Sequence, residues 1–387
     1  MLKQSHAISE ELIEWRRDFH MHPEVGYEVQ RTASIVADTL EKFGYRVQRG
    51  VGKTGVVAEI GEGGPVVAIR ADMDALPLVE LNQTDYVSKE SGKMHACGHD
   101  AHTAMALGAA QLLKDQKLKG RVRFLFQPCE EAADEEGLSG AMRMVEDHAM
   151  DGVDFIIAQH VDPDAAVGTI RISEGASGGG VDSWFGTVHG KGGHGAYPYN
   201  TVDPFYLTAH VIFALNGLIS RRIHPFDPAV VSIGSIQGGF TENVIPDSVR
   251  ITGTLRFTEK NVQKQLHEEI RRAFEIVKPL GGDYDLKLEI GCQPVRNDVN
   301  VTNQIRAVGA DILGAANVHK MENSLGAEDF GTFTEHAPGA MFMLGARIED
   351  GLERPFHSPR FDIDERALPL GTALLAETAL RFLNSHS

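Results

Sequence analysis

The sequence predicts an α/β fold of two domains: a larger domain with a mixed sheet and a smaller inserted α+β domain with a four-stranded sheet. A chain of 387 residues is longer than most single domains. Strand-like apolar runs alternate with helix-periodic segments in residues 1–179 and again in 294–387, as in a sheet with helices on both faces. The pattern changes after the glycine-rich stretch 175–180, and this change predicts an insertion over 180–293.

The elements of the first part follow from hydrophobic periodicity. The segment 9–19 places Leu12, Trp15 and Phe19 on one side of a helix, and a second helical segment stops at Gly44. Small apolar residues at helical spacing predict a buried helix over 101–113. Strands are predicted over 56–60, 66–70, 121–126 and 155–158, and the second helix over 33–43.

The insertion has its own order of elements. Its strands are predicted over 183–189, 230–236 and 248–257, and its helices over 203–219 and 262–277. The order βαββα is typical of a compact four-stranded unit. The chain then returns to the larger domain with a helix over 303–313, a strand over 340–344 and a helix over 368–383. The larger domain is therefore predicted to be discontinuous.

Charge and cysteine content narrow the class of protein. A formal net charge of −17 argues against nucleic acid and anionic membrane as partners, because both would repel the chain. No apolar run approaches the roughly 20 residues that span a bilayer, and residues 1–14 do not read as a signal peptide. Three widely spaced cysteines do not suggest a disulfide framework, so a reducing cytoplasm is expected.

The segment 96–102 concentrates metal-ligand chemistry, since it places a thiol, two imidazoles and a carboxylate within seven residues. Cys97 and His99 are two apart, and Gly98 permits a tight backbone between them. A thiolate and an imidazole suit Zn²⁺, and also Co²⁺, Ni²⁺ or Mn²⁺. Taken alone, such a pair is equally compatible with a buried cysteine that packs as a small apolar residue.

Further candidates follow strand-like segments. Glu130 and Glu131 come directly after an apolar run and a proline, and adjacent side chains on extended backbone point to opposite sides. One glutamate could then bind a metal while the other acts as a general base. His160 is expected to follow a strand end, and His357 lies in a loop between two prolines. Five candidate ligands at successive strand ends predict a metal site facing one cleft.

This conjunction resembles the metal-dependent aminoacylase and carboxypeptidase family. The closer similarity is to its branch of hippurate hydrolases, auxin-conjugate (indole-acetyl-amino-acid) hydrolases and N-acyl-amino-acid amidohydrolases. The matching residues run through essentially the whole chain in the family's order: His22-Pro23-Glu24, 70–77, 97–102, 127–131, His160, 190–194, 238–239, 243–247, 326–330 and 357–359.

The resemblance implies a role for each matching residue. The ligands of two divalent ions per chain would be Cys97, His99, Glu131, His160 and His357, with Zn²⁺ or Mn²⁺ expected and Co²⁺ or Ni²⁺ as alternatives. Glu130 would be the general base and later the proton donor to the leaving amine. His194 would polarise the scissile carbonyl across the interface of a homodimer formed through the inserted domain, Asn243 would orient the substrate, and Arg256 would receive a substrate carboxylate. Asp72, Asp74, Asp100 and His102 would surround the ligands.

Three departures from the pattern concern Cys129 beside the base, the acidic stretch 132–136, and the glycines 178–180. The last two affect the expected substrate pocket, while the metal ligands are unaffected. The sequence thus predicts a metal-dependent amidohydrolase of N-acyl amino acids. A dipeptidase or carboxypeptidase with the same metal site stays open, and so does a metal-binding protein without catalysis, although retention of Glu130 argues against the latter.

Overall fold

A computed structural model describes residues 1–322 and 324–386. The chain forms two compact units. The first unit comprises Met1–Ser177, Val295–Asn323 and Asp329–Ser387, and the second comprises Gly178–Pro294 and Ser324–Glu328. The short return of the chain into the second unit at Ser324–Glu328 had no counterpart in the sequence prediction.

The first unit is built on an eight-stranded mixed sheet. Its strands, in spatial order, are β1 (Arg46–Val51), β2 (Gly55–Gly61), β4 (Arg121–Gln127), β3 (Val66–Asp72), β5 (Phe155–Ala166), β16 (Gly339–Arg347), β6 (Ile170–Arg171) and β15 (Val318–His319). The central strands β4, β3, β5 and β16 pair in parallel. A separate small sheet pairs β7 (Gly175–Ala176) with β14 (Arg296–Asn297).

Helices cover both faces of this sheet. They are α1 (Leu2–Ala7), α2 (Ser9–Met21), α3 (Gln30–Lys42), α4 (His99–Leu113), α5 (Gly140–Glu146), α8 (Val299–Leu313), α9 (Phe330–Thr334) and α10 (Leu368–Ser385). Along β3, Val67 and Ile69 face a core shared with α2, α3, α4 and α10, whereas Val66 and Ala68 face a second core shared with α5 and α9. This alternation is the period of two that a strand buried on both faces requires.

The second unit contains a four-stranded antiparallel sheet in the order β10 (Ala229–Gly238), β12 (Ser248–Phe257), β8 (Gly180–His189) and β13 (Asp283–Ile290). Two helices, α6 (Pro204–Arg222) and α7 (Lys260–Glu275), pack on the face that carries Trp184 and Ile251. A short ribbon pairs β9 (Gly193–His194) with β11 (Val244–Ile245). The predicted fold class, a mixed-sheet α/β domain with a separate four-stranded α+β unit, is confirmed.

The sequence prediction missed several elements, among them α1, β1, α5 and the fourth strand of the second unit, β13. Polar and apolar residues alternate strictly along β13, and Tyr284, Leu286 and Leu288 pack against the core of the second unit, so the strand pattern is present in the sequence although the prediction did not include it. Within the described residues, none of the helices combines the length and apolar character needed to cross a membrane.

Candidate active site

The carboxyl ends of three neighbouring parallel strands meet at one edge of the large sheet. β3 ends at Asp72, which pairs with Gln127 at the end of β4. Glu130 and Glu131 follow three and four residues later. His160 lies inside β5, which continues to Ala166, so the expectation that it follows a strand end is wrong. Because Ala158 pairs with Arg70, His160 still reaches the edge at which β3 ends.

Cys97 and His99 reach the same edge from the start of α4. Gly98 adopts φ 95° directly before the helix, a backbone conformation that favours glycine. A Cβ atom on Gly98 would stand 2.3 Å from Cγ2 of Val161, so glycine also lets this segment pass close to β5. Glycine here therefore sets both the turn and the approach that brings Cys97 beside His160.

The structure brings all five predicted ligands and Glu130 together. Sγ of Cys97 lies 3.4 Å from Nε2 of His160. Nε2 of His99 lies 3.9 Å from Oε2 of Glu130 and 3.9 Å from Oε1 of Glu131. Nε2 of His357 lies 3.1 Å from Oε1 of Glu131. Two groups with mutual ligand-atom distances within 4.8 Å share the thiol: Cys97, His99 and His160, and Cys97, Glu131 and His357.

The two glutamates approach the same histidine, which contradicts the expectation that adjacent side chains point to opposite sides. The expectation assumed extended backbone, but residues 128–139 form no strand. Cys129 adopts φ 49°, in the left-handed region, and this turns the chain immediately before the pair. Such a conformation costs free energy in a residue with a side chain and persists only where surrounding contacts hold it.

The hydrogen bonds and burial of His160 suit a cation ligand. Nδ1 of His160 donates to the Val161 carbonyl at 2.8 Å, and this leaves the Nε2 lone pair directed at Cys97. Burial, followed by the proximity of His102, lowers the pKa of His160 to about 3, so its ring is neutral at pH 7. Burial raises the pKa of the Cys97 thiol well above its ordinary value, and a bound cation would favour the thiolate.

His99 and Glu131 contribute two further donor groups. Nδ1 of His99 donates to the Asp74 carbonyl at 2.8 Å, and its buried Nε2 has no hydrogen-bond partner among the described residues. Burial by itself would raise the pKa of Glu131, but the contact with His357 and the charge of His99 hold it below its ordinary value. A thiol, imidazoles and a carboxylate form a donor set that fits divalent ions such as Zn²⁺ or Mn²⁺.

The neighbouring polar residues orient these groups. His102 accepts the Val161 N–H through Nε2 at 2.9 Å and donates to Asp72 Oδ1 through Nδ1 at 2.7 Å, so neither ring nitrogen is available to a metal. The oxygens of Asp74 accept the backbone N–H groups of Glu130 at 3.0 Å and Glu131 at 3.1 Å. Asp74 thus fixes the backbone of the glutamate pair, a role that its position shortly after β3 did not reveal.

A buried ionic network under α4 was missed by the sequence analysis. Arg16 is fully buried and bonds Asp100 at 3.0 Å, Asp362 at 2.7 Å and Glu365 at 3.2 Å. His20 bonds the same Asp100 at 2.7 Å. Burial by itself would lower the pKa of His20, but the Asp100 carboxylate raises it overall. Amphipathic spacing predicted helix α2 but could not identify partners 80 or more residues away.

The second unit contains the three predicted substrate-binding residues. His194 pairs with Val244, and the carbonyl of Asn243 accepts from the Gly195 N–H at 2.8 Å, so His194 and Asn243 are neighbours. Arg256 pairs with Val181, close to where the chain enters this unit, whereas the opposite end of the same strand leads towards Asn243. Arg256 is therefore not brought together with the other two within this unit.

This fold and this set of possible donors are those of a metal-binding hydrolase. Residues 68–381 match the model of peptidase family M20/M25/M40. The chain is 39% identical over 388 residues to thermostable carboxypeptidase 2 of Saccharolobus solfataricus, covering 97% of this chain and 96% of the relative. It is 39% identical over 385 residues to N-acetylcysteine deacetylase of Bacillus subtilis, covering 98% of each.

Solved structures agree. The crystal structure of the Bacillus subtilis YXEP protein, described as a dinuclear metal-binding peptidase of the M20 family, superposes with a TM-score of 0.85 at 36% identity, covering 98% of this chain and 99% of that one. The chain belongs to peptidase family M20/M25/M40. The predictions of the family and of a hydrolase acting on amide bonds are confirmed.

Proposed function

We propose that the protein hydrolyses the amide bond of N-acyl amino acids with two divalent metal ions per chain, releasing a carboxylate and an amino acid. The observation that carries this proposal is the position of Glu130, 3.9 Å from His99 Nε2 and directly beside a donor set in which Cys97 is shared by two groups. Similarity to an N-acetylcysteine deacetylase supports the substrate class.

The residues that would hold the ions follow from the two groups. Cys97, His99 and His160 would hold one ion, and Cys97, Glu131 and His357 the other, so that both groups would use the same thiol. When bound, such ions polarise a carbonyl oxygen and lower the pKa of water towards about 7. Zn²⁺ suits the thiolate, Mn²⁺ suits the carboxylate, and Co²⁺ or Ni²⁺ are alternatives that metal availability would decide.

Glu130 would move the proton. Its carboxylate would accept a proton from the attacking water and return it to the amide nitrogen as the amine leaves. Glu130 is suited to this work because Asp74 fixes its backbone and its carboxylate lies beside His99. A protein that only bound metal would have no need for a carboxylate placed in this way.

Substrate recognition is assigned to the second unit. Nδ1 of His194 accepts the Ala196 N–H at 3.0 Å, so Nε2 would carry the proton and donate to the carbonyl oxygen as negative charge develops there. Asn243, its neighbour, would orient the amide. Arg256 would bind the carboxylate of the substrate in the bidentate manner that a guanidinium allows.

A homodimer through the second unit would place His194 at the active site of the other copy. Apolar side chains exposed on this unit support the dimer: Phe213 on α6 is 80% exposed, and Ile236 on the edge strand β10 is 48% exposed. An unpaired edge strand beside exposed aromatic residues is a ready site for pairing with a second copy. The cysteine pattern keeps the cytoplasm as the proposed compartment.

Substrate class is tested by re-supplying metal-stripped protein with each ion and offering N-acetyl, N-benzoyl and indole-acetyl amino acids beside plain dipeptides. We expect release of free amine from the acyl compounds only with metal. Activity on dipeptides alone would favour the second candidate, a dipeptidase or carboxypeptidase, which the similarity to thermostable carboxypeptidase 2 supports. An inactive panel would contradict both.

The base and the dimer are tested with two variants. Glu130→Gln should retain the wild-type metal content and lose about 10²–10⁴-fold in turnover; unchanged turnover would exclude Glu130 as the base. If His194 acts across the dimer, exchange of Glu130→Gln chains with His194→Ala chains should restore roughly a quarter of wild-type activity, because one site of each mixed dimer has both groups. If His194 acts within its own chain, mixing restores nothing.

A further inference from the structure

We propose that Asp329 is a positioning residue for this hydrolysis, because its single carboxylate holds both ends of the segment that carries Glu130 and Glu131. The inference rests on the proposed function and adds a residue to which the resemblance gave no role. Asp329 is 1% exposed and stands directly before α9, at the point where the chain returns to the first unit.

The first contact of Asp329 is with Gln127, at the beginning of this segment. Gln127, the last residue of β4, donates through Nε2 to both oxygens of Asp329, at 2.9 and 2.7 Å. The other atom of the same amide, Oε1, accepts from Nε of Arg70 at 2.8 Å. The Gln127 side chain is thus fixed from both sides, three residues before Glu130.

The second contact of Asp329 is with Ser139 and Ala141, at the end of this segment. Ser139 donates through Oγ to Oδ2 of Asp329 at 2.6 Å, and the N–H of Ala141 donates to the same oxygen at 3.2 Å. The two ends also touch each other, because the Gly140 N–H donates to the Cys129 carbonyl at 2.9 Å. Residues 128–139 are therefore a loop whose start and finish are bound to one carboxylate.

This loop needs such support. It has no strand or helix of its own, and Cys129 is held in a left-handed conformation that relaxes when neighbouring contacts are lost. Glu130 and Glu131 lie immediately after that residue. A displacement of about 1 Å in a reacting group costs on the order of 10²-fold in rate, so a small relaxation of the loop would be visible in turnover.

Asp329 is also connected to the opposite side of the site. Nη2 of Arg70 donates to Asp329 at 3.0 Å, and Nη1 donates to Asp72 at 2.6 Å. Asp72 accepts from His102, which in turn accepts the N–H of Val161, the residue after His160. A chain of hydrogen bonds from Asp329 thus reaches both the loop of residues 128–139 and the strand that carries His160.

The test replaces Asp329 by asparagine, which removes one acceptor oxygen and the charge. We expect Asp329→Asn to lower kcat by about 10- to 100-fold with KM changed less than about threefold. The visible absorption of the Co²⁺-loaded protein should also change, because Glu131 and His160 shift relative to Cys97. Glu59→Gln is the matched control: Glu59 also accepts from arginines, including Arg123 at 2.8 Å, but at the opposite end of β4.

A second variant keeps the buried carboxylate and protects the test against misfolding. Ser139→Ala removes the hydrogen bond from Ser139 to Asp329, and we expect a smaller fall in kcat with the same direction of change in the Co²⁺ spectrum. Ser139→Thr retains the hydroxyl and should have the wild-type kcat and spectrum. Wild-type kcat and wild-type spectra in Asp329→Asn or Ser139→Ala would overturn the inference. So would a change of equal size in Glu59→Gln.

The spectrum separates this inference from the proposed function. It requires no substrate, so it reports on ligand geometry even if no compound in the panel is hydrolysed. A wild-type protein inactive on every substrate, with an altered spectrum in Asp329→Asn, would contradict the function and support the positioning role. An active wild-type protein whose variants keep the wild-type kcat and spectrum would support the proposed function and contradict the positioning role.

Discussion

Replacement of Asp74 by asparagine should weaken both the fold and the turnover. Asp74 is 1% exposed, and it uses different oxygens for different partners: Oδ1 accepts the Glu130 N–H at 3.0 Å and Oδ2 the Glu131 N–H at 3.1 Å. Asparagine has one acceptor oxygen, so one N–H loses its partner. An unsatisfied buried donor costs about 1–3 kcal/mol, and the remaining bond becomes weaker by about 1 kcal/mol when its acceptor is uncharged.

The free energy of unfolding of Asp74→Asn should therefore fall by about 2–4 kcal/mol. The corresponding fall in Tm is about 5–15 °C for a unit of this size. Turnover should fall by about 10- to 100-fold because the glutamate pair moves. Urea unfolding of the metal-free protein measures the first quantity, and amine release by the metal-loaded protein measures the last.

Asp298→Asn is the matched control. Asp298 also accepts two backbone N–H groups, from Asn300 at 2.8 Å and Val301 at 3.0 Å, but both bonds go to Oδ1. Asparagine retains that oxygen and is as good a helix N-cap as aspartate, so stability should change by less than about 0.5 kcal/mol. The reasoning is refuted if Asp74→Asn is as stable and as active as Asp298→Asn.

Three further changes have definite expected outcomes. Arg16→Met should lower the free energy of unfolding by about 3–5 kcal/mol in a urea titration, because it leaves Asp362 buried without its cation and Asp100 with His20 alone; a loss below 1 kcal/mol would contradict this. Gly140→Ala should lower both Tm and kcat, since its Cβ would stand 1.6 Å from the Pro128 carbonyl oxygen and must displace the loop of residues 128–139. Wild-type values of both would contradict this expectation. Burial by itself would raise the pKa of Glu59, but its bonds to Arg123 hold that pKa below its ordinary value. Glu59 therefore stabilises the fold above its unfolded-state pKa of about 4.3, and this contribution is lost as the pH falls below that value. The free energy of unfolding of Glu59→Gln, measured from pH 6 to pH 3, should therefore fall less on acidification than that of the wild type. An equal fall in both proteins would contradict the assignment.

The elements that were predicted well are those whose signal is local. The strand expected over 248–257 is found as Ser248–Phe257, because alternation along a half-buried strand needs no knowledge of its partners. The helix expected over 368–383 is found as Leu368–Ser385 for the same kind of reason. β13 has the same local signal, since polar and apolar residues alternate strictly over Asp283–Ile290, and the prediction nevertheless omitted it.

The candidate ligands could be named from residue type and order, whereas their geometry could not. Sequence reasoning placed His160 beyond a strand and the two glutamates on opposite sides, since it assumed that β5 ends early and that residues 128–131 are extended. The structure has His160 within β5 and a left-handed Cys129 before the pair. Both errors concern backbone conformation that distant contacts decide.

The sequence by itself determined the periodicity of the main elements, the turn at Gly98 and the kinds of donor available to a metal. Only the tertiary structure decided which atoms face one another. Gln127 and Asp329 are 202 residues apart, and Arg16 and Asp362 are 346 apart. The physical reason is that a hydrogen bond depends on tenths of an ångström in the positions of both partners, and those positions are set by the packing of the whole sheet and its helices. No local pattern around either residue contains that information.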